Sequence, residues 1–383
     1  MTALTKHQCT AIAQASNAGL PYAVWRVPGG DAFSLIIATS PAFQAPVFGP
    51  RVAPAFALAA FDAPDGNIAW HLPADIVVTD TLAYRHGADF TPEPATNAQS
   101  AFADLPATGA VRAAASDLAD PAPTARADYE TRVARTVAAI RSGQAEKVVM
   151  SRIEPRPLAG DHDLRDLVQA LARAHPNAFV SLVSSDISGT WLTATPEVLL
   201  ANGADGVRTM ALAGTQWPDP DQDISALIWP AKIVEEQGIV AQEVRAAFAD
   251  ADIANVIETL PATVRAANLC HLRSDFHAPA ATPRQLGDLL RRLHPTSAVC
   301  GMPRAAARDI ILAEEGPTRG FYTGYLGPVA LDGETRLMVN LRSARITPTQ
   351  AFLHVGGGIV AASDPALEYV ETVEKTRTIA QVL

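Results

Sequence analysis

The sequence predicts an α+β fold, not a regular βαβ array. Two observations carry that reading. Residues 20–83 break into short apolar runs separated by turn residues, with no helical period between them. Further along, helical segments interrupt strand runs that follow one another directly, the pattern of a layered α+β domain. The chain has 383 residues, enough to bury a large core in one big domain or two.

The early strands are YAVWRV, FSLIIAT, AFALAAFD, IAWHLP and DIVVTD. The segment 105–126, rich in Ala and Pro and without a period, reads as a connecting loop. A helix is expected over 128–142, where Val133, Val137 and Ile140 recur at helical spacing. Strands follow at 146–154, 178–184, 189–195 and 207–213. Helices are expected at 163–174, 222–249, 283–293 and 303–315. Strands at 320–331, 336–346 and 350–360 lead to a last helix over 364–381. The start near Lys6 looks disordered, and the first twenty residues lack the apolar core of a signal peptide.

Net charge is −10, which argues against nucleic acid or an anionic membrane surface as the main partner. No run approaches the ~18 apolar residues of a membrane span. Cys9, Cys270 and Cys300 form no CxxC pair, as suits free thiols in a reducing cytoplasm. Walker A, GxGxxG, HExxH and GxSxG patterns are absent, and no internal repeat is visible.

Only four of the 30 basic residues are lysines: Lys6, Lys147, Lys232 and Lys375. Lysine, unlike arginine, can lose its proton when buried and act as a base. A GC-rich coding bias explains the scarcity equally well, especially for Lys6. Lys147, in EKVVMSR, shares a strand face with Val149 and Ser151. There it is either a desolvated base or an edge-strand lysine that discourages aggregation. Glu197, in TATPEVLL, is an acid with a raised pKa or the polar face of an edge strand. Glu235 and Glu236 are adjacent, so one of them points inward. Glu371 and Lys375 share a helix face with Glu368, a pattern that fits a surface ion pair as well as a site. Gly356, Gly357 and Gly358 permit close approach of a ligand, or mark a bulge or turn. Arg342, expected in mid-strand, suits a bidentate carboxylate grip or an internal salt bridge.

Taken together these segments resemble the chorismate-utilising enzymes. EKVVMSR, ATPEVLL, LAGT, KIVEEQGIV, LHPTSAVCGMPR, RGFYTGYLG, VNLRSARI, GGGIVAASDP and EYVETVEK occur in the family's order from about residue 125 to the end. Each motif is weak alone, and the ordered set is specific. The resemblance implies two stacked antiparallel sheets flanked by helices. It implies N-terminal strands (residues 1–115) woven into the same fold as a catalytic region (116–383). It implies Lys147 as general base, Glu197 as general acid and Mg²⁺ on Glu236 and Glu371. Arg342 and Lys375 become carboxylate grips, and Gly214, Thr215 and Gly356 become substrate contacts. Lys232 is assigned a structural role, and His294 lies near the site.

Within the family, lysine at position 147 goes with water as nucleophile, where anthranilate synthases carry glutamine. Ala213 stands where aminodeoxychorismate synthases carry lysine, and Ala298 where salicylate synthases tend to carry threonine. The expectation is therefore a monomeric, cytoplasmic, Mg²⁺-dependent isochorismate synthase for menaquinone formation, acting on chorismate without a glutaminase subunit. Salicylate synthase and a siderophore-pathway isochorismate synthase are the alternatives. A silent chorismate-binding protein fits poorly with Lys147, Glu197, Glu236 and Glu371 all in place. Two departures stand out. Gln237 replaces the histidine that usually follows Glu236, and Gln216 and Trp217 follow LAGT where arginine is common. The first predicts altered hydrogen bonding around the metal ligand without loss of the metal.

Overall fold

The computed structural model describes residues 3–86, 92–94, 111, 113, 118–158, 162–216, 218–219, 222–266, 269–317 and 319–383. Its described strands form two antiparallel sheets, one of 11 strands and one of 10. The larger runs from Gly301–Met302 through Lys147–Pro157, Gln350–Ile359, Ser343–Ile346, Gly189–Thr195, Phe179–Ser185 and Tyr22–Arg26 to Ser34–Ile37, then Ile76–Val78, Ala83–His86 and Pro92–Pro94. The smaller runs from Ile257–Glu258 through Leu269–Ala278, Gly206–Gln216, Val198–Gly203, Thr335–Val339, Tyr325–Val329 and Ala55–Ala59 to Ile68–Pro73 and Phe43–Pro46. Ala262–Ala266 pairs beside Leu269–Ala278.

The inner faces of the two sheets meet in one core. Trp25 and Ile36 of the larger sheet pack with Phe56, Leu58 and Met338 of the smaller. Outer faces are covered by helices. Leu35, Leu182 and Leu353 pack under Lys6–Asn17 and Leu164–Ala174 through Ile12, Leu167 and Leu171. Ala57, Leu200 and Leu337 pack under Ala231–Asp250 and Pro283–Leu293 through Val240, Val244, Leu286 and Leu290. Strands buried on both faces read as continuous apolar runs, which is why YAVWR and AFALA show no alternation. The α+β sandwich expected of the chain is the one it forms.

Several boundaries differ from the sequence reading. The start of the chain is a helix, Lys6–Asn17, closed by a capping box between Thr5 and Gln8, a two-residue signal in a polar stretch. The helix expected from 222 begins at Ala231. Pro230 disfavours helical backbone at Trp229, and a 3₁₀ turn at Ile224–Ala226 precedes it. The strand expected from 320 begins at Tyr325, because Thr323 has left-handed backbone (φ 60°). Leu269–Ala278 and Val198–Gly203 were not anticipated as strands, although both lie inside the smaller sheet.

The run expected as one strand at 336–346 is two strands in different sheets, Thr335–Val339 and Ser343–Ile346. Arg342 therefore does not lie in mid-strand; it turns the chain between the sheets with φ 47°. The expected loop at 105–126 ends at the helix Arg126–Arg141, and its residues 105–110, 112 and 114–117 lie outside the described residues. So do the proposed domain boundary at 115 and Trp217. Among the described residues no helix is long and apolar enough to cross a membrane.

Candidate active site

Two segments pass from one sheet to the other side by side. Gly189–Thr195 continues through Pro196 and Glu197 into Val198–Gly203, and Thr335–Val339 continues through Leu341 and Arg342 into Ser343–Ile346. Backbone hydrogen bonds fasten them together: Val339 N donates to Glu197 O at 3.0 Å, and Ala194 N donates to Arg342 O at 3.0 Å. The crossings put Glu197 and Arg342 on the wall of a cavity of about 140 Å³. Lys147, Gly214, Gly356 and Lys375 line the same cavity.

Lys147 opens its strand instead of sitting in the middle, and faces Met302 on the short Gly301–Met302 strand. Its neighbour on the other side is the glycine run. Gly356, Gly357 and Gly358 pair with Ser151, Met150 and Val149 in unbroken register, so they are neither bulge nor turn. They leave room for side chains above the sheet. A Cβ on Gly358 would fall 2.9 Å from Lys147 Cε, and one on Gly356 3.3 Å from the Tyr322 hydroxyl. Gly214 has φ 73°, and a Cβ there would meet Ile233 Cγ2 at 2.4 Å, so no other residue fits.

The electrostatics separate an acid from a base. Glu197 is buried, and desolvation raises its pKa from 4.5 to about 7. A hydrogen bond from Thr296 Oγ1 at 3.4 Å and the charges of Lys147 and Arg342 oppose that rise. Burial lowers the pKa of Lys147 below 10.5, with Lys375 pushing the same way and Glu236, Glu243 and Glu197 opposing. Arg342 is pulled down to about 10, also by burial. Its Nη1 donates to Thr378 Oγ1 at 3.2 Å, and it makes no salt bridge among the described residues. A half-buried guanidinium so lightly partnered leaves donors for an anionic ligand. Lys375 Nζ donates to Gly356 O at 3.0 Å and pairs with Glu371 Oε1 at 2.6 Å.

Behind the cavity a buried ion pair ties the surrounding segments. Arg319 Nε and Nη2 donate to Glu315 at 2.7 and 2.8 Å. Glu315 accepts from Ser151 N and Oγ at 2.6 and 2.7 Å, while Arg319 also donates to Val149 O and Val299 O. This network holds the strand that carries Lys147 against the loop that carries Ala298.

Not every expected residue joins the cavity. Thr215 is half-buried, one residue beyond the lining Gly214. Glu235 is exposed and Glu236 half-buried; both line an adjoining cavity of about 200 Å³ that shares Lys147. His294 is a packing residue: it is buried, donates through Nε2 to Ala60 O at 3.0 Å, and meets the Tyr325 ring edge-on. The side chain of Lys232 lies outside the described residues. Gln237 is buried and donates to Ser274 Oγ at 3.0 Å, so the residue beside Glu236 is anchored without a histidine.

Sequence reasoning passed over His271, Tyr322 and His354, all of which line the cavity. His271 Nδ1 donates to Gly214 O at 2.5 Å, and burial holds its pKa near 4, so the ring is neutral. Burial pushes the Tyr322 hydroxyl up to about 12 and His354 down to about 3. Tyr322 lies within RGFYTGYLG, and His354 stands two residues before the glycine run; His271 lies in Leu269–Ala278, where charged and apolar residues mix.

Among the described residues no group of three or more His, Cys, Asp or Glu is assembled to hold an ion. Glu236 beside Lys147 and Glu371 beside Lys375 nevertheless offer hard carboxylate oxygens, and a Cβ on Gly357 would lie 3.7 Å from Glu371 Oε1. Two carboxylates with water and substrate oxygens are a donor set that fits Mg²⁺.

The cavity thus brings together a buried carboxyl and a lysine whose pKa values burial displaces in opposite senses, with Arg342 and Lys375 on the same wall. The chain belongs to the chorismate-binding enzyme family, whose family model matches residues 71–383. It is 35% identical over 263 residues to the salicylate biosynthesis isochorismate synthase of Pseudomonas aeruginosa, covering 67% of this chain and 55% of that protein. It is 32% identical over 270 residues to isochorismate synthase DhbC of Bacillus subtilis, covering 67% of each. The chain thus spans about half to two thirds of the length of these relatives. Its fold is that of MenF, the menaquinone-specific isochorismate synthase of Escherichia coli, with a TM-score of 0.77, 23% identity, and 97% and 91% of the two chains covered.

Proposed function

We propose that this protein is an isochorismate synthase, converting chorismate to isochorismate by addition of water at C2 and loss of the C4 hydroxyl. The observation that carries the reading is the pairing of Lys147 and Glu197 on one cavity with pKa values displaced in opposite senses. A base must be neutral and an acid protonated in the same resting state, and burial favours both. Lys147 takes a proton from the attacking water, and Glu197 gives one to the departing hydroxyl. Hydroxyl is gained and lost once, so there is no net redox change. Arg342 and Lys375 meet the two substrate carboxylates, while Tyr322 and neutral His271 add polar contacts on the same wall. Gly214 and Gly356 let the substrate approach the backbone.

Glu236 and Glu371 would hold Mg²⁺, which when bound supplies positive charge to the ring carboxylate. With water as the nucleophile no glutaminase subunit is needed to supply ammonia. The reading as a synthase that stops at isochorismate is supported by Ala298 on the cavity wall, where salicylate synthases tend to carry threonine. The menaquinone pathway is the proposed destination, supported by YAVWRVPGG and AFALAAFD near the N-terminus. The test is incubation with chorismate and Mg²⁺, followed by chromatography. Isochorismate is the expected product. Salicylate with pyruvate would move the protein to the lyase subgroup, and unchanged chorismate would overturn the proposal.

A further inference from the structure

The last helix, Pro365–Ala380, carries both Glu371 and Lys375, and it lies on the strand Gln350–Ile359. Its far end is seated by Ile379, which joins the same apolar cluster as Leu353. The end near Glu371 has less to hold it. Leu367 and Val370 are exposed, and the sheet there presents Gly356, Gly357 and Gly358. Lys375 Nζ donates to Gly356 O, and a Cβ on Gly357 would lie 3.2 Å from Glu368 Oε2 and 3.7 Å from Glu371 Oε1. Three glycines have no side chains to interdigitate with a helix, so its register along the strand must be set elsewhere.

The adjacent strand supplies the means. Arg152 lies on Lys147–Pro157 opposite Val355, one pair along from Gly356. Strand alternation puts it with Val148 and Met150, on the face away from Lys147 and Val149. Val148 and Met150 join the apolar cluster of Tyr129 and Val133 on the helix Arg126–Arg141. At Arg152 a guanidinium, 2% exposed, replaces that apolar packing. Its Nε donates to Thr372 Oγ1 at 2.6 Å, and its Cζ stands 4.8 Å from the centre of the Tyr369 ring. Its Nη1 pairs with Glu154 at 2.8 Å. Nη2 has no hydrogen-bond partner among the described residues, so Thr372 and Glu154 are the polar anchors of the group. Thr372 Oγ1 in turn donates to Tyr369 O at 2.6 Å. Tyr369 and Thr372, three apart, share a helix face. Arg152 therefore grips two points on the helical turn that contains Glu371, and Lys375 follows Thr372 by three residues. A buried charge is costly, and an apolar side chain would fill the space more cheaply. What the guanidinium adds is direction: a donor aimed at one hydroxyl and a plane set against one ring.

We propose that Arg152 is a positioning residue that sets the register of Pro365–Ala380 on the sheet and so holds Glu371 and Lys375 at the substrate cavity. It acts through Thr372 and Tyr369. The groups it places are a carboxylate ligand and a cation, so its effect falls on the binding of metal and substrate. Lys147 and Glu197 have supports of their own, the Glu315–Arg319 network and Thr296. This inference rests on the isochorismate synthase reading, with Mg²⁺ at Glu371.

The test separates binding from chemistry. Thr372→Val keeps the shape of the side chain and removes the oxygen that Arg152 grips, while Thr372→Ser keeps the oxygen. Two quantities are read: KM for chorismate, and Kd for Mg²⁺ from calorimetric titration of Mg²⁺ into the substrate-free protein. Thr372→Val is expected to raise both by about tenfold, the usual cost of losing a group that orients a metal ligand. Its kcat at saturation is expected to stay within about twofold of wild type, as befits a loss of binding alone. Thr372→Ser is expected to restore both constants, and Arg152→Gln to raise them as Thr372→Val does. Unchanged KM and Kd in Thr372→Val, whatever its stability in urea, would make the contact merely structural and overturn the proposal. A lower kcat with unchanged KM and Kd would also overturn it, because the effect would then reach Lys147 along its own strand. A wild type that forms no isochorismate or binds no Mg²⁺ counts against the functional reading, and shows before any variant is compared.

Discussion

Replacing Glu197 by glutamine should make the protein more stable and catalytically dead. The carboxyl is buried, and the desolvation moves its pKa from 4.5 to about 7. That displacement corresponds to about 3 kcal/mol, at ~1.4 kcal/mol per pH unit. The sign follows from the direction. A group whose folded pKa is raised binds its proton more tightly in the folded state, so its favourable contribution is present below pH 4.5. It is lost as pH rises through about 7, where folding must bury a charge. Glutamine is neutral at every pH and can still accept from Thr296 at the same oxygen. Glu197→Gln and wild type should therefore melt nearly together at pH 5. At pH 8 the variant should melt higher by about 4 °C, taking ~2.1 cal/mol/K of unfolding entropy per residue. Differential scanning calorimetry at the two pH values measures this, and comparing variant with wild type at each pH cancels the other titrating groups. Chorismate turnover should be lost in the same variant. Equal melting temperatures at pH 8, or a variant less stable there, would refute the desolvated acid.

Other outcomes follow from the same site. Lys147→Ala should abolish turnover while chorismate still binds, as read by calorimetric titration; retained wild-type rate removes the base from the mechanism. Glu371→Gln should weaken the dependence of activity on Mg²⁺, and an unchanged Mg²⁺ titration would contradict the ligand role. Glu315→Gln should lower stability by about 3–5 kcal/mol in urea unfolding, since it leaves the Arg319 guanidinium buried without its anion. A loss below about 1 kcal/mol would show the pair to be dispensable.

The sandwich was legible because its strands are apolar on both faces, and runs such as SLII and AFALA have little else to be. The site was legible in part. Lys147 stood out by scarcity, and Glu197 by its apolar neighbours. Arg342 is expected in mid-strand but turns the chain between the sheets. LMVNLRSARI has strand composition throughout, and a non-glycine residue with positive φ leaves no mark in such a run. His271 was missed for a related reason. In LCHLRSDFHA charged residues sit beside buried ones, and only the partner strands reveal which side faces the cavity. Thr215 was expected at the substrate on the strength of its neighbour, and lies just past the lining.

The paired crossings between the sheets limit how such a protein can change. Glu197 and Arg342 each stand within a few residues of strands paired on both sides, Gly189–Thr195 against Ser343–Ile346 and, with a register shift between Val198 and Leu200, Val198–Gly203 against Thr335–Val339. Inserting a single residue in either link would turn every following side chain from one face of its strand to the other, emptying the interior of its hydrocarbon. Chemistry here can be altered by exchanging letters, never by lengthening the word.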